Sequence, residues 1–326
     1  MLTFEDAWDA LAPDTRPAIL LGNGFSQAWD TEIFNYASLL EVANFEGREL
    51  QIRELFARLN TWDFEAVMRT LLSAQTVAEV YALDQAVISR ITADQEILKN
   101  ALLSAVSNSH PRLPSALTVE QYQAVRTFLR RFSHIFTVNY DLLMYWARNQ
   151  EIEPAWQTDD GFRAEQRWRG YGTEQEVHFL HGGIHLYEEP TGIRKHAYTG
   201  EIGGGIVDQV RNNLNMQPPR FPLFVSEPTY QKKKQRIDRS PYLTFCLRKL
   251  ETSAAPLFIL GHSMDENDMH IFEAIRKSEA RQIFVSIFGD EQSEANRRLR
   301  AHTLAFLERQ GRNIEFFDAG TTNAWG

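Results

Sequence analysis

The sequence predicts an α/β chain, a doubly wound parallel sheet carrying a large all-helical insertion. Two observations carry the prediction. Short runs rich in Ile, Leu, Val and Phe are each followed by a polar turn and a helical stretch. That is the pattern of strands covered on both faces and joined by helical crossovers. Residues 29–131, after the first of those runs, read as helix alone. The α/β part therefore takes residues 1–28 and 132–326, and the insertion takes 29–131.

The first run, Ala18–Leu21, ends in Gly22-Asn-Gly24. Within the insertion, Phe64, Val67, Met68, Leu71 and Leu72 recur on one helical face, with Thr61 or Asp63 placed to cap it and Glu65 in its first turn. Further helices are expected near Gly47–Leu59, Val80–Ser107 and Val119–Arg131, with Pro111, Leu113 and Pro114 separating the last two. The sheet resumes at His134–Val138, followed by Asn139-Tyr-Asp141. Residues 151–225 are less regular. There Val177–Leu180 and Ile184–Tyr187 read as short strands flanking His181-Gly-Gly183, and Gly203-Gly-Gly205 is a hinge or turn candidate. Leu257–Leu260 precedes Gly261-His-Ser263, Ile283–Phe288 precedes Gly289-Asp290, and Ile314–Phe317 is a last strand. The basic run Lys232-Lys-Lys-Gln-Arg236 reads as a solvated helix face.

Composition removes several function classes. A net charge of −9 argues against direct nucleic-acid binding, which needs a concentrated basic face. The single Cys246 allows no internal disulfide and no cysteine-based zinc site, and it fits a reducing compartment. No apolar run approaches the roughly 18 residues of a membrane span. The acidic start Met1-Leu-Thr-Phe-Glu-Asp6 lacks the marks of a signal peptide. The expectation is a cytoplasmic protein that does not enter a membrane.

In doubly wound sheets, ligands bind outside the carboxyl ends of the strands. Four polar loops are expected there. Glycines at 22 and 24 let a phosphate approach the backbone, and Ser26 adds a hydroxyl; a tight strand-to-helix turn explains the same residues. Position 27 is Gln, so the third glycine of the dinucleotide fingerprint is missing. Asn139, with Thr137 just inside the strand, can hold a water or a ribose hydroxyl. Asp141 can accept from a carboxamide, or simply cap the helix that follows. In the third loop Ser263 can donate to a phosphate while Asp265 caps, and Gly289-Asp290 forms the fourth. His178, His181 and His185 tempt a metal reading, but strand parity sends 178 and 181 to opposite faces, so no metal is expected. His181, beside two glycines that leave it open, is the candidate general base.

Five of these segments in order resemble the sirtuin-like proteins of bacteria, in their non-deacylase, defence-associated branch. They are Gly22-Asn-Gly-Phe-Ser26, Thr137-Val-Asn-Tyr-Asp141, Leu180-His-Gly182, Val225-Ser-Glu-Pro-Thr-Tyr230 and Gly261-His-Ser-Met-Asp-Glu-Asn267. Trp62-Asp-Phe-Glu65 resembles a helical segment of the same branch. The resemblance implies a Rossmann-like sheet that takes NAD as a substrate. It puts Gly22, Gly24 and Ser26 on the phosphates and adjoining ribose, and Gly261 and Ser263 in the later nucleotide-binding loop; Asn23, which replaces the usual small residue of the first loop, Phe25, Thr137 and Asp290 are counted in the same nucleotide site. It makes Asn139, Asp141 and His181 the catalytic set. The implied activity is NAD hydrolysis to nicotinamide and ADP-ribose, serving as an NAD-depleting effector in antiviral defence. Such activity implies restraint through a homo-oligomer or a regulatory partner protein. Two alternatives stand beside it: an NAD-dependent protein deacylase, and a non-catalytic NAD- or ADP-ribose-binding regulatory subunit.

Overall fold

The computed structural model describes residues 1–153, 155–198, 204–217 and 220–326. Of the hinge or turn candidate Gly203-Gly-Gly205, Gly203 lies outside them, and Gly205 is the N-cap of the helix Ile206–Leu214. Nine strands form. They are β1 (Ala18–Leu21), β2 (His134–Thr137), β3 (Glu176–Phe179), β4 (Gly182–Glu189), β5 (Gly192–Lys195), β6 (Pro222–Phe224), β7 (Leu257–Leu260), β8 (Gln282–Ile287) and β9 (Asn313–Asp318). Six of them make one sheet in the order β3-β2-β1-β7-β8-β9. Every pairing in it is parallel. The apolar runs dictate this: all four residues of β1 and of β7 are buried, as a strand covered on both faces requires. β1 is the central strand, and the chain runs outward from it in one direction, then crosses back to run outward in the other. The reversal falls between β1 and β7, where a doubly wound sheet opens a crevice.

Between β1 and β2 the chain forms helices and no strand, including Glu49–Arg58, Phe64–Val80, Gln85–Ser109 and Val119–Leu129. These helices share one continuous hydrophobic core with the sheet, from Phe45, Ile52, Val67 and Leu98 to Ile19 and Phe136. The expected helix Val80–Ser107 is two elements: Val80 ends one, and the next begins at Gln85. No glycine or proline marks the break. Asp84 makes it, accepting from the Ala86 N–H as an N-cap, while Ala82 takes φ +50°.

Strand ends differ by a residue from the sequence reading. β2 stops at Thr137, β3 at Phe179 and β8 at Ile287. Phe288 has left the sheet and is 80% exposed. A second, antiparallel sheet β5-β4-β6 stands beside the first. It matters because its first strand begins at Gly182, next to His181. Gly182 has φ +73°, and a Cβ there would meet the Leu223 carbonyl oxygen at 2.1 Å. So this glycine serves a tight backbone crossing rather than an open surrounding; His181 is 5% exposed. Among the described residues no helix is long and apolar enough to cross a membrane.

Candidate functional site

A pocket of about 520 Å³ opens over the crevice between β1 and β7. Its size is in the range of small-molecule sites. The loops after β1, β2, β3 and β7 line it, joined by Phe34, Leu39, Asp63, Glu65 and Val106 of the insertion. Of the expected site residues, Asn23, Gly24, Asn139, Asp141, His181, Gly261 and Ser263 meet there.

Two loops lock against each other at the crevice. Gly261 has φ +70°, and a Cβ on it would lie 2.5 Å from the Phe25 nitrogen; one on Gly22 would lie 2.6 Å from the Gly261 oxygen. The Gly24 N–H, expected to meet a phosphate, donates to the Gly261 carbonyl at 2.8 Å. The glycines therefore serve loop-to-loop contact first, and Gly22 does not line the pocket.

The amide of Asn139 is fixed from behind. Its Nδ2 donates to the Gly22 carbonyl at 3.0 Å and to Ser26 Oγ at 2.9 Å, and its own N–H donates to Thr137 Oγ1 at 3.0 Å. Among the described residues no donor reaches its Oδ1, so that oxygen is the acceptor left for a ligand. Ser26 is fully buried and donates to Asp141 Oδ2. It is a support for Asn139, not a phosphate donor. The other carboxylate oxygen of Asp141 accepts from the Leu143 N–H at 2.8 Å. Asp141 thus braces Ser26 and the turn at Leu143 while still lining the pocket, and burial raises its pKa above the usual range.

Three other expected contacts are absent. Thr137 is 1% exposed and serves Asn139. Phe25 is buried against Trp325, whose Nε1 donates to the Phe25 carbonyl at 2.8 Å. Asp290 is exposed outside the pocket and accepts from the Gln292 N–H at 2.9 Å. It closes a turn after β8.

The histidines separate as strand parity requires. His178 Nε2 pairs with Glu176 at 3.0 Å and stacks on Phe136, while His185 packs against Tyr145 and Phe179. Burial drives their pKa values down to about 4 and about 3. Of these three, His181 alone lines the pocket.

A second set of residues joins it, and most of it was not expected. Lys233 Nζ lies 2.9 Å from Glu65 Oε2 and 2.9 Å from Asp268 Oδ1. This corrects the reading of residues 232–236 as a solvated face, since Lys233 is 2% exposed. The helix Tyr230–Arg239 turns it inward, with Ile237 one turn on, while Lys232 and Lys234 stay outside. His262 Nε2 is 3.3 Å from Asp268 Oδ2, and His181 Nε2 is 2.8 Å from His270 Nε2. His262 Nδ1 accepts from the Met264 N–H at 2.9 Å, so its proton sits on Nε2, toward Asp268. Burial holds His181 well below the usual range and His270 down to about 3. It raises Glu65 to about 7, against the pull of Lys233. Burial alone would also raise Asp268 and lower Lys233. Their mutual attraction overrides it, leaving Asp268 well below and Lys233 above the ordinary value.

His181, Asp268 and His270 set one ligand atom each within 4.8 Å of one another, a spacing that admits a metal ion. The Lys233 ammonium already sits on that carboxylate. A divalent cation would face it at close range, so the cluster is better satisfied as an ion-pair and hydrogen-bond network. The signal that could have revealed it is spacing: Glu65, Lys233 and Asp268 each face inward from the first turn of a helix or 3-10 turn.

No curated protein matches the chain. The family described as "Domain of unknown function (DUF4917)" matches residues 19–325, from β1 to the C-terminal turn. On that match the chain belongs to the DUF4917 family.

Proposed function

We propose that this pocket binds NAD and hydrolyses its nicotinamide–ribose bond. One observation carries the reading: an excess of buried or half-buried carboxylates around a neutral histidine and a fixed amide, at the switch point of a doubly wound sheet. Asp63, Glu65, Asp265 and Asp268 line the pocket against one cation, Lys233. Such a field favours a transition state that gains positive charge, as the ribose does when nicotinamide departs.

In this scheme the C1′–N bond breaks and its electron pair goes to the nicotinamide ring, which leaves neutral. The ribose becomes oxocarbenium-like. Asn139 Oδ1 accepts from a ribose hydroxyl or from the attacking water. Water adds to C1′, and its proton passes to His181 and then to solvent, giving nicotinamide, ADP-ribose and one proton. Asp141 and Ser26 hold Asn139 in place. Gly24, Asn23, Gly261 and Ser263 lie along the pocket wall for the rest of the dinucleotide.

The resemblance to sirtuin-like defence proteins supports the same substrate and extends it. The chain would deplete NAD in the cytoplasm and be restrained by self-assembly or a partner protein. The test is nicotinamide release by wild type, Asn139→Ala and His181→Ala. We expect each substitution to lower the rate by about 10²–10⁴-fold without unfolding the protein. Full NAD consumption by both variants would remove the assignment. An acyl-ADP-ribose product from an acylated peptide would favour a deacylase, and tight NAD binding without release a regulatory subunit.

A further inference from the structure

His181 Nε2 and His270 Nε2 face each other at 2.8 Å, with ring centroids 5.0 Å apart and ring planes inclined by 26°. Two ring nitrogens at that distance share a proton: one is N–H, the other a lone pair. Burial keeps both rings neutral near pH 7, so each carries one ring proton. Two arrangements satisfy this. Either His181 donates from Nε2 and keeps a lone pair at Nδ1, or His270 donates and the proton of His181 sits on Nδ1. Only the first leaves His181 able to accept a proton from a ligand.

The surroundings choose between them. Asp268 Oδ1 is 3.8 Å from His181 Nε2, and a carboxylate favours a proton on the nearer nitrogen. Lys233, on the same carboxylate, discourages a second proton on either ring before reaction. Nδ1 of His181 has no protein partner among the described residues, and the residue lines the pocket. In this arrangement the proton of His270 sits on Nδ1, a buried atom with no partner among the described residues.

We propose that His270 is a positioning residue for His181: by accepting at Nε2 it fixes the tautomer whose Nδ1 lone pair serves as the base. The inference rests on the NAD-cleaving reading for its substrate, and on the histidine pair alone for its geometry. When water gives its proton to Nδ1, the new imidazolium keeps its Nε2–H on His270 and gains the nearby Asp268 charge. A neutral acceptor here does part of what a carboxylate does behind other catalytic histidines.

Two substitutions separate positioning from packing. His270→Phe keeps an aromatic ring of similar size but has no acceptor. His270→Gln loses the ring but offers an amide oxygen. We expect the Phe variant to lose about 10–100-fold in kcat for NAD with little change in KM, and the Gln variant to recover part of it. A Phe variant as active as wild type, or more active than the Gln variant, would overturn the proposal, since packing alone predicts that order. A readout independent of turnover is the ¹⁵N imidazole shift pattern of His181. Protonated Nε2 with bare Nδ1 is expected, and the opposite tautomer would overturn the proposal even in an active enzyme. A wild-type protein that releases no nicotinamide would defeat the NAD-cleaving reading, and the tautomer measurement would still decide the histidine pair.

Discussion

Two buried charge clusters in this molecule look alike and do opposite things. In one, Asp160 Oδ2 lies 2.9 Å from Arg148 and 2.7 Å from Lys195, one carboxylate between two cations. In the other, Lys233 lies between Glu65 and Asp268, one cation between two carboxylates. The first is closed. Arg148 also donates to Thr158 Oγ1 and its carbonyl, and the Lys195 ammonium sits over the Tyr145 and Phe162 rings. None of its three charges lines the pocket, whereas all three of the second do. Burial by itself therefore does not make a site. What differs is which sign is in excess and whether the excess opens on a cavity. The Asp160 cluster ties Asp160 and Lys195 to the helix Leu143–Asn149; the Lys233 cluster sets its carboxylates beside His181 at the cavity wall.

The largest expected difference is in stability. Asp160→Ala leaves two buried cations unpaired and should cost about 3–5 kcal/mol in denaturant unfolding. Turnover per folded molecule should be unchanged. A variant that unfolds normally but has lost turnover would join the two clusters and break the contrast.

Glu65 gives a smaller, pH-dependent effect. Its folded value of about 7 lies above its ordinary value of 4.5, so the folded state keeps a proton that the unfolded chain releases. The resulting stabilisation is complete below about pH 4.5 and is lost as pH rises through about 7. Between those limits wild type should lose on the order of 1–3 kcal/mol that Glu65→Gln does not lose. Asp268 is held low, so its own contribution changes only at more acid pH. Equal slopes for wild type and Glu65→Gln between pH 5 and 8 would show that this cluster is as closed as the first.

Much of the sheet was legible because fully buried parallel strands write themselves as apolar runs. Ala18–Leu21 and Leu257–Leu260 agree with β1 and β7 to the residue. The loops after them were legible as a cluster because topology forces them together, whatever each contains. Roles within the loops were not. Ser26 looks like a ligand group in sequence, yet its hydroxyl is buried, donating to Asp141 and accepting from Asn139. That depends on which way a side chain points, which spacing does not reveal. Lys233 was hidden by its neighbours: a run of three lysines reads as surface even when helical phase turns one of them inward. His270 was hidden because its partner lies 89 residues away.

Asp290 marks the small end of the scale. It was expected in the nucleotide site and lies outside it. Asp290→Ala should change stability by about 0.5 kcal/mol or less and leave KM for NAD unaltered. A raised KM would return that turn to the site.

The central claim is that the pocket cleaves the nicotinamide–ribose bond with water. The most direct measurement is chromatography with mass detection of NAD incubated with the purified full chain in ¹⁸O-labelled water. Free nicotinamide and ADP-ribose carrying one ¹⁸O at the former C1′ position are predicted. NAD recovered intact, or ADP-ribose released without the label, would contradict it.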